Sequence, residues 1–452
     1  MFRTYALDPG AYTNALYDYS HLNWNDSTVF KRGAENLLAD HFDLYLILFA
    51  PLSLIFKTYT LLIVQIVFIL IGGMGIYKYL AYSLNKEKLA IRATLFFFLF
   101  YGVYSALASD YHSNVIGACM VPWFFYFLKK KNLLKTILIL VFILIGKENM
   151  SLWMAFICLG LIYEYRKEVY WRNFLAVCFV FCLCYFFIIT ALVMPRISNA
   201  SAYPHFHYSA LGSSYGEALV HIISHPADSF VMFFTNHTNA QQGDYLKLEL
   251  FIFLILSGLP ILIKKPQYLL MLLPIFGQKL FHENIAMWGI HSQYSIEFAP
   301  ILAIGIFVIL GEMKNLKMQT ISSYAVIVLC LICTIRIMDS TLYLNDKSKI
   351  RVYQKTHYER GYPTAEIRKK LNEIPENAIV SAQSPFVSQL AYRDKIYEFP
   401  IVKDAEYLVY SIYEDTYPLN EQSFEREINK ITASNEWLKE WDQDGFIILK
   451  KR

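Results

Sequence analysis

Long apolar runs separated by short polar turns fill residues 60–344. They lack the strict alternation of a barrel strand, and a helix satisfies its own backbone groups in lipid. Crossing about 30 Å of hydrocarbon takes about 20 helical residues. The pattern therefore predicts about ten crossings, over 60–84, 93–109, 114–128, 133–147, 150–165, 173–194, 249–263, 267–281, 298–312 and 320–338, several of them short. The stretch 44–56, LYLILFAPLSLIF, is apolar but shorter still. It is expected as an interfacial or re-entrant helix on the outer face, bent at Pro51. After residue 344 the pattern changes to strand-like and helix-like segments of ordinary soluble character.

The polar turns alternate in charge. One set carries Lys86, Lys88 and Arg92, then Lys129, Lys130, Lys131 and Lys135, then Arg166, Lys167 and Arg172, then Lys264 and Lys265, then Lys314 and Lys317. The opposite short loops hold Lys147 and almost nothing else basic. Cytoplasmic loops carry excess Lys and Arg. This places residues 1–59, 195–248, 282–297 and the tail outside, in a multi-pass protein of the plasma membrane with an extracytoplasmic C-terminal domain. No signal peptide is visible, so an N-terminal span is expected to be missing before the polar opening segment.

Composition sharpens this picture. Of 452 residues, 56% are hydrophobic and 17% charged, against about a quarter charged in ordinary soluble domains. Disorder, a collagen and a small disulfide scaffold are excluded. The net charge of +4 is too small to argue for nucleic acid. Residues 345–452 hold 35 of the 78 charged side chains. That density sets a boundary near Asn345 and divides the chain into a first outer loop, 1–59, a multi-span domain, 60–344, and a soluble domain, 345–452. All seven cysteines lie in apolar blocks and read as free thiols.

Ionisable groups at membrane edges are costly and usually have a task. The outer turns collect them: Asp8, Asp40 and His41 in the first loop, Asp110 and His112 in one hairpin, Lys147 and Glu148 in the next, and His291 with Glu297 in the last. Plainer roles compete. Asp110 and His112, or Asp40 and His41, can cap helices, and Lys147 with Glu148 can be a snorkelling pair. A shared face favours chemistry. A carboxylate can take a proton from an attacking hydroxyl, and Lys, His or a carboxylate-bound divalent cation can stabilise a departing phosphate. No HExxH, GxxxxGK[ST] or GxGxxG motif occurs, which counts against a zinc protease, ATP-driven transport and a dinucleotide enzyme.

At these residues the chain resembles the DUF2079 family of membrane proteins. Leu7-Asp8-Pro9-Gly10-Ala11 through Leu16 is similar to that family's DLGxxxQAL opening; Ala39-Asp40-His41-Phe42, Ala50-Pro51-Leu52 and Thr60 to Gln65 continue the likeness. Asp110-Tyr111-His112 resembles its DFH turn and Lys147-Glu148-Asn149 its KED turn. Ile374 to Ala378, Val380 to Gln383 and Ile396 to Pro400 fit its tail. Pro9 and Asn149 depart from the pattern. The family itself resembles the GT-C superfamily of membrane glycosyltransferases. That likeness implies a polytopic α-helical membrane protein, GT-C-like, with a small C-terminal soluble α/β domain. It also implies an inverting transfer of sugar from a polyprenyl-phosphate donor to an extracytoplasmic acceptor. Asp8 would be the general base, and Asp40, His41, Asp110, His112, Lys147, Glu148 and His291 would hold the phosphate, a divalent cation or the base.

The tail predicts strands at Ala378–Gln383, Lys395–Phe399, Tyr407–Ser411 and Phe446–Lys450, with helices at Pro385–Tyr392 and Ser423–Lys430. Its expected work is acceptor binding, cover for the membrane site, or structure alone. Two other functions compete with the transferase: a transporter or flippase for a lipid-linked or small polar substrate, and a non-catalytic assembly protein with protein partners on its tail.

Overall fold

Helix forms wherever the long apolar runs stand. In the computed structural model the described residues are 2–29, 35–343 and 349–452; the expected boundary near Asn345 lies outside them. The runs become helices Thr60–Leu84, Glu87–Leu99 with Tyr101–Ala108, Ser113–Lys129, Leu133–Leu144, Glu148–Glu164, Val169–Ile188, Leu246–Leu256, Gln267–Leu280, Phe298–Gly311 and Leu316–Asp339. Among the described residues four stretches are long and apolar enough to cross a membrane: Tyr45–Leu84, Val169–Ile197, Gln293–Gly311 and Leu316–Asp339. The pair Glu87–Leu99 and Tyr101–Ala108, bent by 42°, makes a fifth if counted as one span.

The count that length and hydropathy support is thus four to five, below the ten expected. The other five helices have 11 to 17 residues. At 1.5 Å per residue they rise about 17–26 Å, less than the hydrocarbon thickness. The predicted runs were already short: 114–128 and 150–165 become slightly longer helices, whereas 133–147 and 249–263 lose residues to turns. The run 249–263, for example, breaks at Gly258, whose φ of 99° ends the helix. The stretch 44–56 becomes a helix over Tyr45–Phe56 with Pro51 inside it, and Lys57 breaks the backbone with φ 46°.

Two compact units divide the chain. One comprises 65–195 and 202–351, the other 1–64, 196–201 and 352–452. The first is helical, around a continuous core that includes Phe96, Phe97, Phe100, Tyr101, Phe124, Phe125, Trp153, Tyr268, Phe298 and Phe307. Phe100 takes an extended conformation (φ −70°, ψ 131°) and separates its two flanking helices. Just beyond it, Gly102 lets the second helix lie against the backbone of Ser295, where an added Cβ would stand 2.5 Å from the carbonyl oxygen. All seven cysteines are free thiols.

The second unit joins the first loop to the tail, regions the sequence pattern kept separate. Its sheet has the order β2-β1-β3-β5-β4, with β1 at Val380–Ala382, β2 at Ile396–Glu398, β3 at Tyr407–Ser411, β4 at Trp437–Gln443 and β5 at Phe446–Lys451. β1 pairs in parallel with β2 and β3, while β5 pairs antiparallel with β3 and β4. Helix Ser384–Leu390 connects β1 to β2, and helix Glu421–Ala433 follows β3. Phe399, Leu408, Tyr410, Phe424, Ile447 and Leu449 form the core beneath the second helix. The N-terminal segment completes the unit. Ala6 N donates to Ser384 Oγ (3.1 Å), Asn14 Nδ2 to Arg393 O (2.8 Å), Thr28 Oγ1 to Ile396 O (2.6 Å), and Arg360 Nη2 to Phe2 O (2.7 Å). Arg393 in turn donates to the carbonyls of Leu390, Pro375 and Ala378.

Candidate functional site

The sequence-predicted residues fall in both units: Asp8, Asp40 and His41 in the loop-and-tail unit, and Asp110, His112, Lys147, Glu148 and His291 in the helical one. Asp8 sits in a turn over Ala6–Gly10 with φ 62° and ψ −91°, beside an extended Leu7. This conformation is disfavoured for a side chain with a Cβ and costs roughly 1–3 kcal/mol, a cost found most often at functional sites. Asp8 is exposed. Its neighbour Leu7 lines a cleft of about 340 Å³ with Tyr5, Ser384, Pro385, Asp415 and Tyr417.

Asp40 ends the short turn Leu37–Ala39, which Asn36 caps by accepting from Leu38 N. His41 Nε2 lies 3.9 Å from Asp40 Oδ2, with both side chains about one-fifth exposed. Ahead of the next helix, Asp43 Oδ1 accepts from Tyr45 N at 3.0 Å.

In the helical unit, Gln65 holds the Asp110–His112 turn from a neighbouring helix. Its Nε2 donates to Asp110 O (2.6 Å) and its Oε1 accepts from His112 N (2.8 Å). Asp110 has φ 66°. His112 occupies the N-cap position of helix Ser113–Lys129 without a side-chain cap, because its Nε2 bonds back to Ser109 O (2.8 Å).

Lys147 and Glu148 are 7% and 1% exposed, so they do not snorkel into solvent. Glu148 opens helix Glu148–Glu164, where the helix dipole favours a carboxylate, and accepts from Tyr203 Oη at 3.2 Å. Helix Ser113–Lys129 contributes Asn114, whose Nδ2 donates to Glu297 Oε1 (3.2 Å). Glu297 lies within electrostatic reach of Lys279 and Lys147.

Lys279 is the residue the sequence pattern passed over. It is 1% exposed, its Nζ has no hydrogen-bond partner, and it stands 5.7 Å from the Tyr294 ring centroid. The signal was present: one lysine near the end of an apolar run. Lys247, equally buried, is different. It donates to Met232 O, Leu280 O and His237 Nδ1 and covers the Trp288 ring, so its role is structural.

His291 is 2% exposed, stacks on Tyr343 at 4.7 Å, and has no hydrogen bond at either ring nitrogen. Burial, with Lys279 nearby, pushes it down to about 3. Its ring is therefore held toward the neutral form.

A family model described as a predicted membrane protein, DUF2079, matches residues 1–452. The chain belongs to the DUF2079 family. No curated protein matches it. Membership places this DUF2079 protein in a lipid bilayer, in agreement with its apolar helices.

Proposed function

We propose that this DUF2079 protein is a membrane glycosyltransferase that moves a sugar from a polyprenyl-phosphate donor to an extracytoplasmic acceptor at the plasma membrane. The observation that carries the reading is Asp8: an exposed carboxylate on a disfavoured backbone conformation, next to a residue that lines a cleft. In the reaction an acceptor hydroxyl attacks the anomeric carbon as its proton passes to Asp8. The bond from that carbon to the phosphate oxygen breaks, and polyprenyl phosphate leaves with the electron pair. The configuration inverts.

The remaining groups serve the phosphate and the base. In the helical unit, Lys147 offers a basic side chain and Lys279 an amine with no hydrogen-bond partner; Asp110, His112, Glu148 and His291 support that polar set. In the other unit, Asp40 and His41 offer two ligand atoms suited to a divalent cation. A GT-C-like arrangement, with the tail outside, belongs to the same reading.

The test is incubation of purified protein with radiolabelled polyprenyl-phosphate sugars. Asp8→Asn is expected to lower transfer about 10²- to 10⁴-fold, the usual worth of a general base. Asp8→Gly is expected to be as inactive while melting no lower, because glycine accepts φ 62° without strain. Full transfer by Asp8→Asn removes Asp8 from this role.

One observation favours a second reading, a transporter or flippase: the buried Lys279 lies in the apolar helix Gln267–Leu280 and the buried Glu297 at the N-cap of Phe298–Gly311, and ionisable groups in apolar segments often mark substrate or ion paths. Movement of a lipid-linked sugar across vesicles, unaffected by Asp8→Asn, would select it over the transferase.

A further inference from the structure

Three parallel strands, β2, β1 and β3, lie side by side in the sheet of the loop-and-tail unit. The chain leaves β1 toward β2 on one side, and after β3 it continues toward β5 and β4 on the other. The gap between the carboxyl ends of β1 and β3 is therefore the point where the connections diverge, the place where open α/β sheets bind ligands. The cleft lies there. Ser384 and Pro385 follow β1, Asp415 and Tyr417 follow β3, and Tyr5 and Leu7 close it from the N-terminal segment.

Gln383 fixes the two walls to each other. Its Nε2 donates to Glu414 O (3.3 Å) and Asp415 O (2.9 Å), while its Oε1 accepts from Ser411 N (2.8 Å). Asp415 Oδ1 accepts from Tyr417 N at 2.7 Å and sets the turn that presents the tyrosine. Tyr362 donates to the Glu414 carboxylate behind the wall. Glu398, the last residue of β2, is 9% exposed, and its Oε1 has no hydrogen-bond partner. Ser384 lines the cleft and accepts from Ala6 N at 3.1 Å.

We infer that this cleft binds a neutral sugar unit, the part of the acceptor that presents its hydroxyl near Asp8; the acceptor role rests on the transferase reading. The lining suits that ligand. Two tyrosines offer ring faces for a pyranose, and Asp415 offers an acceptor for sugar hydroxyls. Serine adds a donor-acceptor group. None of the lining residues is cationic, which disfavours a phosphate or carboxylate ligand. A volume of about 340 Å³ lies at the small end of ligand pockets, which run from about 300 to 1,000 Å³. Walls already joined by hydrogen bonds lower the ordering cost of binding.

Saturation-transfer NMR on the detergent-solubilised full chain tests this, with methyl glycosides of glucose, mannose, galactose and arabinose as probes. At least one is expected to show transfer from the protein. Tyr417→Ala should weaken that sugar's binding about threefold to tenfold, the range for loss of one ring contact. Asp415→Asn, which keeps the turn's acceptor atom, should weaken it as well. Both cleft positions are exposed, so unchanged melting of these variants is expected and separates lost binding from lost fold. Absence of transfer to all four glycosides, or binding indifferent to both cleft substitutions, overturns the proposal. If glycosides bind as expected but no polyprenyl-phosphate sugar is consumed, the sugar site stands and the transferase falls. If sugar is transferred with no binding at the cleft, the reverse holds.

Discussion

Asp18 shows how a single buried carboxyl in this chain acts. It is 2% exposed and accepts from Asn25 Nδ2 at 2.8 Å. Burial raises it from 3.8 to about 6, against the lowering effect of Asn25 and with further help from the Asp26 charge. The folded state therefore holds this proton more tightly than the unfolded chain, and stability falls as pH rises from about 4 to about 6. Asp18→Asn keeps an acceptor for Asn25 and removes the charge. It should raise the melting temperature of the solubilised protein at about pH 7.5, by more than at about pH 5; equal gains at both would disprove the assignment. The candidate acids, imidazoles and Lys147 were legible because polar residues stand out between apolar runs. Three things were not. Nothing in the spacing showed that His291 would be desolvated into a neutral ring. Nor could the pattern show that Lys279 would be buried without an acceptor, or that Asp43 would bond the first amide of a helix.

Elements were read well where hydropathy alone decides them. The apolar runs became helices, and the strands at Val380–Ala382, Ile396–Glu398, Tyr407–Ser411 and Phe446–Lys451 stand within two residues of their expected places. What escaped was charged. Trp437–Gln443, WLKEWDQ, is an edge strand with mostly exposed or half-exposed residues, and edges are commonly blunted with charge, which hides the alternation. Helix Thr364–Leu371 carries Glu366, Arg368, Lys369 and Lys370 around only two buried residues, Ile367 and Leu371. The break at Phe100 was also hidden, since no proline or glycine stands at that position; its neighbour Gly102 gives the reason for the close approach. Gly102→Ala would drive a methyl group into the Ser295 backbone. A loss of about 1–3 kcal/mol is expected for such overpacking, seen as a lower melting temperature, whereas Gly361→Ala, with open space around it, should change it little.

At the scale of the molecule, the alternation of basic loops makes a claim about sides. Lys88 and Glu425 are both exposed, and the native cysteines lie in apolar segments. A membrane-impermeant thiol reagent should label Glu425→Cys in cells with a permeable outer envelope, and Lys88→Cys only after the plasma membrane is opened. The opposite pattern would invert the topology. Membrane character and the approximate helix positions were open to sequence reading. The joining of the first loop with the tail was not, because the bonds that join them link residues far apart in the chain and leave no local pattern. Asn14 and Arg393 are 379 positions apart. This separation has a consequence for biosynthesis. At roughly 5–20 residues per second, the ribosome needs about 20–75 s after making Asn14 to deliver Arg393. Throughout that interval the opening segment, with its candidate base, must wait beside a nascent membrane protein without the strands that will complete its sheet-bearing unit. A chain halted before Arg393 would carry Asp8 but leave Asn14 without its carbonyl partner.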